Sequence, residues 1–406
     1  MSKEKLKSSA GQRGDKIRSD CNIEIELTNS GGIKIDSKSK VAVMYGDSIN
    51  NMLMNLCEFF EIKNAKILLE DYGALPFTIA ARFETAVRRI YPDLNKSFFS
   101  EKIKTKNQNT SKERLRRSRL YLPGNEPKFF VNAGLHKPDG IILDLEDSVS
   151  PSEKDAARIL VRNALRSVDF YGVERMVRIN QLPLGLEDLR FVVPHGVDVI
   201  LIPKCESTEQ IKMVDDEIKM LRAEYNFNNE IYLMPIIESA KGIMDAFEIA
   251  TASENICALT IGLEDYTADL GTQRTDDGRE SFFARSVIVN SAKAAGIQAI
   301  DTVFSDVNDM NGLYESVIEA KSLGFEGKGC IHPRQIEVIH KAFAPTEKEI
   351  EKAKKIILAF EEAERNGLGV VSLGSKMIDA PVVKRAFNTI KLAILNNLLD
   401  ENWKEK

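Results

Sequence analysis

Apolar and polar positions along the chain follow two different rhythms. In the first hundred residues a polar tail leads into Cys21-Asn22-Ile23-Glu24-Ile25-Glu26-Leu27, where the alternation is that of a strand with one buried face. The Gly31-Gly32 pair predicts a turn into Ile33-Lys34-Ile35, as a hairpin or a broken strand pair. Ile49, Met52, Leu53, Leu56 and Phe60 then recur at helical spacing behind a start near Asp47. A strand over Ala65–Leu69 and a helix from Pro76 to Arg89 follow. These elements predict a small α+β unit with few catalytic groups.

From residue 117 the rhythm changes to short apolar runs that alternate with helical periodicity. Strands are expected over Leu120–Leu122, Gly140–Leu145, Met176–Ile179, Val199–Ile202, Ile231–Ile237, Ala258–Ile261, Gln298–Val303 and Gly329–Ile331. Helical patterns fill 127–136, 152–168, 187–193, 208–225, 241–252, 281–295, 309–323 and 334–343. Ser150-Pro151-Ser152-Glu153 reads as a capping box with proline at the first helical position. Eight strand–helix units in roughly 220–250 residues match a (β/α)8 TIM barrel. A doubly wound sheet is disfavoured because no glycine-rich GxGxxG follows the first strand. Beyond the eighth unit, Thr346-Glu347-Lys348-Glu349 caps a helix to about Arg365, Ser375–Asp379 is extended, and a last helix begins at Pro381. The expected fold class is α/β: a TIM barrel with a C-terminal helical arm, preceded by the small α+β domain.

Composition adds the boundaries. Residues 101–117 carry seven Lys/Arg against two Glu with almost no aliphatics, which reads as a solvated linker rather than a nucleic-acid patch. The expected division is therefore 1–98, a basic linker 99–116, a barrel 117–344 and an extension 345–406. A net charge of −5 argues against a generally basic nucleic-acid binder. No apolar run is long enough to span a membrane, and the start leads into no apolar signal region, so a cytoplasmic location is expected. Five scattered cysteines without a CxxC read as reduced residues, neither a disulfide framework nor a zinc site.

In such a barrel, chemistry gathers where strands end. The expected strands end in Asp144-Leu145-Glu146-Asp147, Arg178-Ile179-Asn180, Pro203-Lys204, Glu238-Ser239, Glu264-Asp265, Asp301 and His332-Pro333. Crowded carboxylates repel unless a cation holds them, and Mg2+ accepts one or two of them plus substrate oxygens and water. An arginine among them suits a substrate carboxylate. Each residue also has a structural reading: Asp144, Glu146 and Asp147 as helix caps, Lys204 as a rim ion-pair partner rather than a Schiff-base amine, His332 as a packing or capping group. Glu238 and Asp265 are harder to explain that way, because each follows an apolar strand where burial demands a partner.

These residues resemble a known family. Arg117-Ser118-Arg119-Leu120-Tyr121-Leu122-Pro123-Gly124, Leu143–Val149, Val177–Asn180, Ile237-Glu238-Ser239 and Gly262-Leu263-Glu264-Asp265 are similar, in the same order, to motifs of the citrate lyase β-subunit group. That group includes malyl-CoA and citramalyl-CoA lyases within the HpcH/HpaI aldolases. The resemblance spans nearly all of 116–395. It implies Mg2+ on Glu238 and Asp265, 27 residues apart, with Glu238 also facing substrate. It implies Arg178 on the substrate oxygens, Arg117 near the thioester arm, and a base in the Asp144–Asp147 cluster, with Glu146 nominated. Met377-Ile378-Asp379-Ala380-Pro381 looks like a segment that reaches a neighbouring subunit's site, which nominates Asp379 as an acid/base and implies a homo-oligomer, trimer or hexamer, with shared sites.

The small domain resembles the citrate lyase acyl carrier protein, the γ subunit, and its malonate decarboxylase counterpart, through Ser19–Ile25 and Glu70-Asp71-Tyr72-Gly73-Ala74-Leu75. That resemblance implies a phosphoribosyl-dephospho-CoA arm on Ser19, although the spacing to Ala10-Gly11 and the neighbouring Arg18 depart from the pattern. Ser48 mimics the attachment site of helical carrier proteins, but Asp47 and Ser48 are read as a helix start. The expected activity is Mg2+-dependent cleavage of a 3-hydroxy-carboxyacyl thioester, citryl-like or malyl-like, into a 2-oxo acid and an acyl thioester. Alternatives are a docking domain with free CoA thioesters as substrates, a non-catalytic carrier–scaffold, or a thioesterase or condensing enzyme on the same metal site. A separate CoA-transferase-like subunit is a further expected partner; nucleic acid and membrane are not.

Overall fold

The structure is a computed structural model that describes residues 6–103, 110–275, 277–365, 371–373 and 376–404. Its first unit is a four-stranded sheet of β1 (Lys7–Gly11), β2 (Cys21–Leu27), β3 (Ile33–Ser39) and β4 (Ala65–Asp71), in the order β1-β2-β4-β3. The alternation in β2 buries Cys21, Ile23 and Ile25. The polar tail is not all tail, because Lys7–Gly11 pairs antiparallel with β2 as an edge strand. No hairpin forms at Gly31-Gly32. The two glycines reverse the chain with φ of 101° and 72°, and β3 then pairs parallel with β4 on its far side from β2.

The crossover between β3 and β4 is helix α1 (Ala42–Phe59), which begins five residues ahead of Asp47. Asp47 and Ser48 are exposed in its second turn and start nothing. The next helix, α2 (Pro76–Ile90), is buried on nearly every side. A helix buried on nearly every side lies between two layers, and α2 does, with its buried Arg82 and Glu84 paired to neighbours. Ile79, Phe83, Ala86, Val87 and Ile90 belong to the core of the small sheet, whereas Phe77 and Ala81 belong to the core of the barrel.

Eight parallel strands close the barrel: β5 (Ser118–Pro123), β6 (Gly140–Asp144), β7 (Glu174–Arg178), β8 (Val199–Ile202), β9 (Tyr232–Ile237), β10 (Ala258–Ile261), β11 (Gln298–Asp301) and β12 (Gly327–Cys330). β12 pairs with β5 to complete the circle. Ile142, Met176, Val199, Leu201, Met234, Ile236 and Ile300 fill the interior, so it is a packed core rather than a pore. Helix α3 (Lys154–Ser167) carries the face that receives α2.

Local departures from expectation have local causes. Residues 127–136 form two short 3-10 turns, Pro127–Phe129 and Ala133–His136, and Asp245 splits the 241–252 pattern into two five-residue helices. Ser150 does not cap, because a 3-10 turn over Pro151–Glu153 delays the α-helix to Lys154. Thr346 and Glu349 do form the reciprocal cap of Glu347–Arg365. That helix and Ala380–Leu395 share a small core of Ile350, Ile357, Val383 and Ile390, bridged by β13 (Val371–Leu373) and β14 (Lys376–Ile378).

The basic linker is not solvated throughout. Arg116 is fully buried, held by Glu174 at 2.8 Å and by Gln298 at 2.9 Å, and Phe99 packs on His195 at 5.1 Å between ring centroids. Residues 104–109 of that segment lie outside the described residues. All five cysteines are buried and unpaired. Among the described residues no helix is long and apolar enough to cross a membrane.

The two units are tied together by buried charge. Arg82 of α2 grips Asp20 at 2.8 Å and donates to the side-chain oxygen of Asn125, in the loop after β5, at 2.6 Å. Glu84 receives Arg162 of α3 at 2.7 Å and Arg88 at 2.9 Å, with Glu84 and Arg162 both almost wholly excluded from water. Arg89 adds a more exposed pair with Asp155 at 2.8 Å.

Candidate active site

The C-terminal ends of the barrel strands surround a cavity of about 500 Å3. Asp144 ends β6 and Arg178 ends β7, one strand over and in register, so the two meet side-on. Arg178 Nε and Nη2 donate to the Asp144 oxygens at 2.6 and 2.7 Å. Its Nη1 lies 2.9 Å from Glu146 Oε2 without the alignment of a hydrogen bond, which leaves N–H groups there to meet a ligand. Burial works against the Arg178 charge, but the Asp144 carboxylate outweighs it and holds the guanidinium protonated; the same pairing overcomes burial at Asp144 and lowers its carboxyl.

Glu238 stands just past β9. It is 7% exposed and accepts a hydrogen bond from the backbone N–H of Lys204 at 2.9 Å. Burial pushes its carboxyl up to about 7; Lys204 N–H and Arg178 oppose the rise, while Asp265 and Glu146 add to it. Gly262 is there because nothing larger fits: a Cβ on it would stand 2.4 Å from Glu238 Oε1. Asp265 faces the same cavity from the first turn of a short helix, Leu263–Asp269, which the periodicity did not reveal because it is only seven residues long.

The remaining sequence candidates distribute unevenly. Glu146 is buried beside Arg178, with Gln181 Nε2 donating to it at 3.0 Å, and does not line the cavity, whereas Asp147 does. Burial raises the Glu146 carboxyl and Arg178 opposes the rise. Arg117 is a correction: it precedes β5, so it lies at the opposite end of the barrel from the cavity. There Asp139 holds it at 2.8 Å. Asp379 caps Ala380–Leu395 by accepting from Val382 N–H at 3.1 Å and does not line this chain's cavity.

Ser19 has φ of 56° and donates its N–H to Tyr72 O at 3.1 Å. Its neighbour Asp20 is the buried partner of Arg82, so Ser19 stands at the junction with the loop after β5.

Lys204 sits in an ion pair at the rim. Burial would lower its ammonium, but Asp265, 3.2 Å away, outweighs burial and raises it, so the group stays charged. His332 Nδ1 accepts from Arg334 N–H at 3.2 Å, the capping role. Asp301 does not join the rim carboxylates as a free group. Lys328 at 2.7 Å and Arg285 at 3.2 Å neutralise it in a fully buried network.

Sequence reasoning passed over Lys328 and Arg119, each a lone charge inside a strand. Arg119 is fully buried within the barrel and lines the cavity.

Among the described residues no group of three or more His, Cys, Asp or Glu side chains is gathered as a metal cage. Glu238 and Asp265 nevertheless fit a hard divalent cation. A desolvated carboxylate with a second carboxylate close enough to raise it lacks a positive charge, and Mg2+ takes only one or two protein carboxylates, completing its shell with water and substrate oxygens.

Comparison with known proteins agrees with the barrel fold. Residues 117–333 match the family described as HpcH/HpaI aldolase/citrate lyase, and residues 10–90 match the malonate decarboxylase delta subunit (MdcD) family. Citrate lyase subunit beta of Leuconostoc mesenteroides subsp. cremoris is 45% identical over 301 residues, 72% of this chain and 99% of that one. Mouse mitochondrial citramalyl-CoA lyase is 33% identical over 293 residues, 68% of this chain and 86% of that one. The structure of CitE from Mycobacterium tuberculosis in complex with magnesium, acetoacetate and coenzyme A is similar with a TM-score of 0.57 and 29% identity, covering 69% of this chain and 98% of that one.

Proposed function

The chain belongs to the HpcH/HpaI aldolase/citrate lyase family, and from that premise we infer that it is a carbon–carbon lyase of the oxo-acid-lyase type. The reaction is Mg2+-dependent cleavage of a 3-hydroxy-carboxyacyl thioester, citryl- or citramalyl-like, into a 2-oxo acid and an acyl thioester. The observation that carries the reading is Glu238, a carboxyl pushed up to about 7 by burial and set beside Asp265 at the mouth of a cavity that also presents Arg178. Mg2+ bound by Glu238 and Asp265 supplies Lewis-acid polarisation of the substrate's hydroxyl and carboxylate oxygens.

The chain's own residues do the rest. Arg178, anchored by Asp144, turns its Nη1 donors to the carboxylate of the oxo-acid half and balances charge there. A carboxylate of the Asp144–Asp147 cluster takes the hydroxyl proton; Glu146 keeps Arg178 in place from behind, and of Asp144 and Asp147, which both line the cavity, Asp144 is held by two hydrogen bonds from Arg178. The bond between the carbinol carbon and the thioester's α-carbon breaks, and the α-carbon then takes a proton. Asp379 serves as that proton donor from a second copy of the chain, which is why the site is complete only in a homo-oligomer.

The carrier-like unit, 1–98, is fused to the barrel unit, 117–344, through 99–116, with the arm 345–406 following. An acyl thioester on a prosthetic arm at Ser19 would start beside the rim, because the adjacent Asp20 pairs with Arg82, which reaches Asn125. Tethering raises the local substrate concentration to the order of mM.

The test is acyl-CoA release from citryl, malyl and citramalyl thioesters by the full chain with Mg2+ and with EDTA. Turnover is expected with Mg2+ only, and Glu238→Gln is expected to lower it at least ~1000-fold. A Glu238→Gln protein with wild-type turnover overturns the metal assignment; a wild type inert on every thioester overturns the lyase.

A further inference from the structure

We propose that Arg119 is a carboxylate anchor at the floor of the cavity, and that it selects thioesters whose oxo-acid half carries a second carboxylate. The inference rests on the lyase reading above and names the residue that sets substrate choice within it.

Arg119 is fully buried, yet among the described residues no carboxylate pairs with it. Its Nη1 donates to Thr260 Oγ1 at 3.0 Å and touches Met234 Sδ at 3.0 Å, while Nε and Nη2 have no hydrogen-bond partner. The other fully buried cations around the barrel are matched. Arg116 has Glu174, Arg162 has Glu84, and Lys328 has Asp301, each within 2.8 Å. A guanidinium without a counterion is strongly unfavourable in a protein interior, and arginine does not escape by losing its proton. A chain that places such a charge on the wall of a reaction cavity, and not beneath a helix where a carboxylate could reach it, has left its counterion to a ligand.

The position fits one. Thr260 lies in β10 two residues before Gly262, which follows the strand and backs directly onto Glu238. Arg119 therefore lies about one strand layer, ~6–7 Å, beneath the Glu238 carboxyl. Tyr121 is the next side chain up the same face of β5, and Arg178 stands over its ring at 5.4 Å. The cavity thus offers two cations at two depths, an upper one already paired with Asp144 and a lower one with open donors.

In a citramalyl thioester the carbinol carbon carries a methyl; in a citryl thioester it carries a carboxymethyl. Cleavage breaks the same bond in both: the hydroxyl gives up its proton to the base and its oxygen becomes the ketone, while the electron pair of the broken bond passes to the thioester's α-carbon, which takes a proton. The products differ only in the oxo acid, pyruvate or oxaloacetate. The extra carboxylate of the second is the anion that the Arg119 donors lack.

The experiment compares kcat/KM for citryl-CoA and citramalyl-CoA, with Mg2+, in the full-length wild type, Arg119→Met and Arg119→Lys. Methionine removes a buried charge from beside Met234 and is compatible with folding. Arg119→Met is expected to lower kcat/KM for citryl-CoA about 100-fold while citramalyl-CoA stays within about threefold, with Arg119→Lys between. Calorimetry with oxaloacetate and with pyruvate, in Mg2+, reads the same preference without turnover. Wild type should bind oxaloacetate more tightly, and Arg119→Met should bind the two alike.

Selectivity unchanged in a folded Arg119→Met protein overturns the proposal. So does a wild type that binds the two acids alike and is stabilised by chloride in a manner lost in Arg119→Met, which marks a resident inorganic anion. If the wild type cleaves neither thioester, the lyase reading fails, and the binding contrast between the two acids still decides the role of Arg119.

Discussion

Replacing Glu84 by methionine tests how firmly the carrier-like unit is welded to the barrel. Glu84 is the shared anion of Arg162 and Arg88. Arg162 is 1% exposed and Arg88 21%, so the loss falls almost entirely on Arg162; water reaches Arg88. Stranding one buried partner of an ion pair costs about 3–5 kcal/mol, against a total stability of about 5–15 kcal/mol for a domain. Glu84→Met should therefore remove roughly a fifth or more of the stability of whichever cooperative unit contains α2. The double variant Glu84→Met/Arg162→Met replaces the pair by apolar side chains of similar length, and it should recover to within about 1–2 kcal/mol of wild type. Urea unfolding of the four proteins of the cycle, followed by circular dichroism, yields the coupling energy directly. If the double variant loses the sum of the two single losses, the pair is not coupled and the charge does not join the units. A Glu84→Met loss below about 1 kcal/mol would refute the burial argument itself.

Other consequences can be checked independently. Mixing inactive Asp379→Asn with inactive Glu238→Gln subunits should regenerate activity, because a mixed oligomer holds some sites with both residues intact; no recovery excludes shared sites. Borohydride added during turnover should leave the intact mass unchanged, since Lys204 is a charged partner of Asp265; a reduced adduct on Lys204 would contradict this. Protein purified from its native host should carry an added mass on the peptide containing Ser19, and an unmodified peptide removes the tethered delivery. Burial would raise the Asp301 carboxyl, but Lys328 and Arg285 outweigh it and hold the group below the usual carboxylate range. Its stabilisation is therefore present above the ordinary carboxylate pKa of about 4 and disappears as pH falls through its lower folded value. Asp301→Asn should cost about 3–5 kcal/mol at neutral pH and flatten the loss of stability on acidification.

The barrel was legible because its strands are short, nearly unbroken apolar runs buried on both faces, a signal that turn residues punctuate clearly. The rim carboxylates could be read for the same reason: once strand ends are known, so is the face on which they emerge. What stayed hidden depends on pairing across the chain. β1 has a single aliphatic side chain, Ala10, and exists through backbone pairing with β2. Asp301 looked like a rim ligand because Lys328 and Arg285, which consume its charge, arrive from a later strand and an earlier helix. Arg119 left no periodic trace, since one charged residue in a strand looks the same whether it turns to water or into a barrel.

The two-sided burial of α2 also sets an order of events during synthesis. Phe77 and Ala81 leave the ribosome before any barrel exists to receive them. The barrel cannot close until β12 reaches β5, which happens after residue 330. At ~5–20 residues per second, the intervening chain takes on the order of 10–50 s to emerge. For that interval the nascent carrier-like unit carries an exposed apolar stripe. Joining the small sheet and the barrel in one polypeptide therefore brings a window of stickiness at the start of every chain's life, and chaperone demand should track the length of that wait.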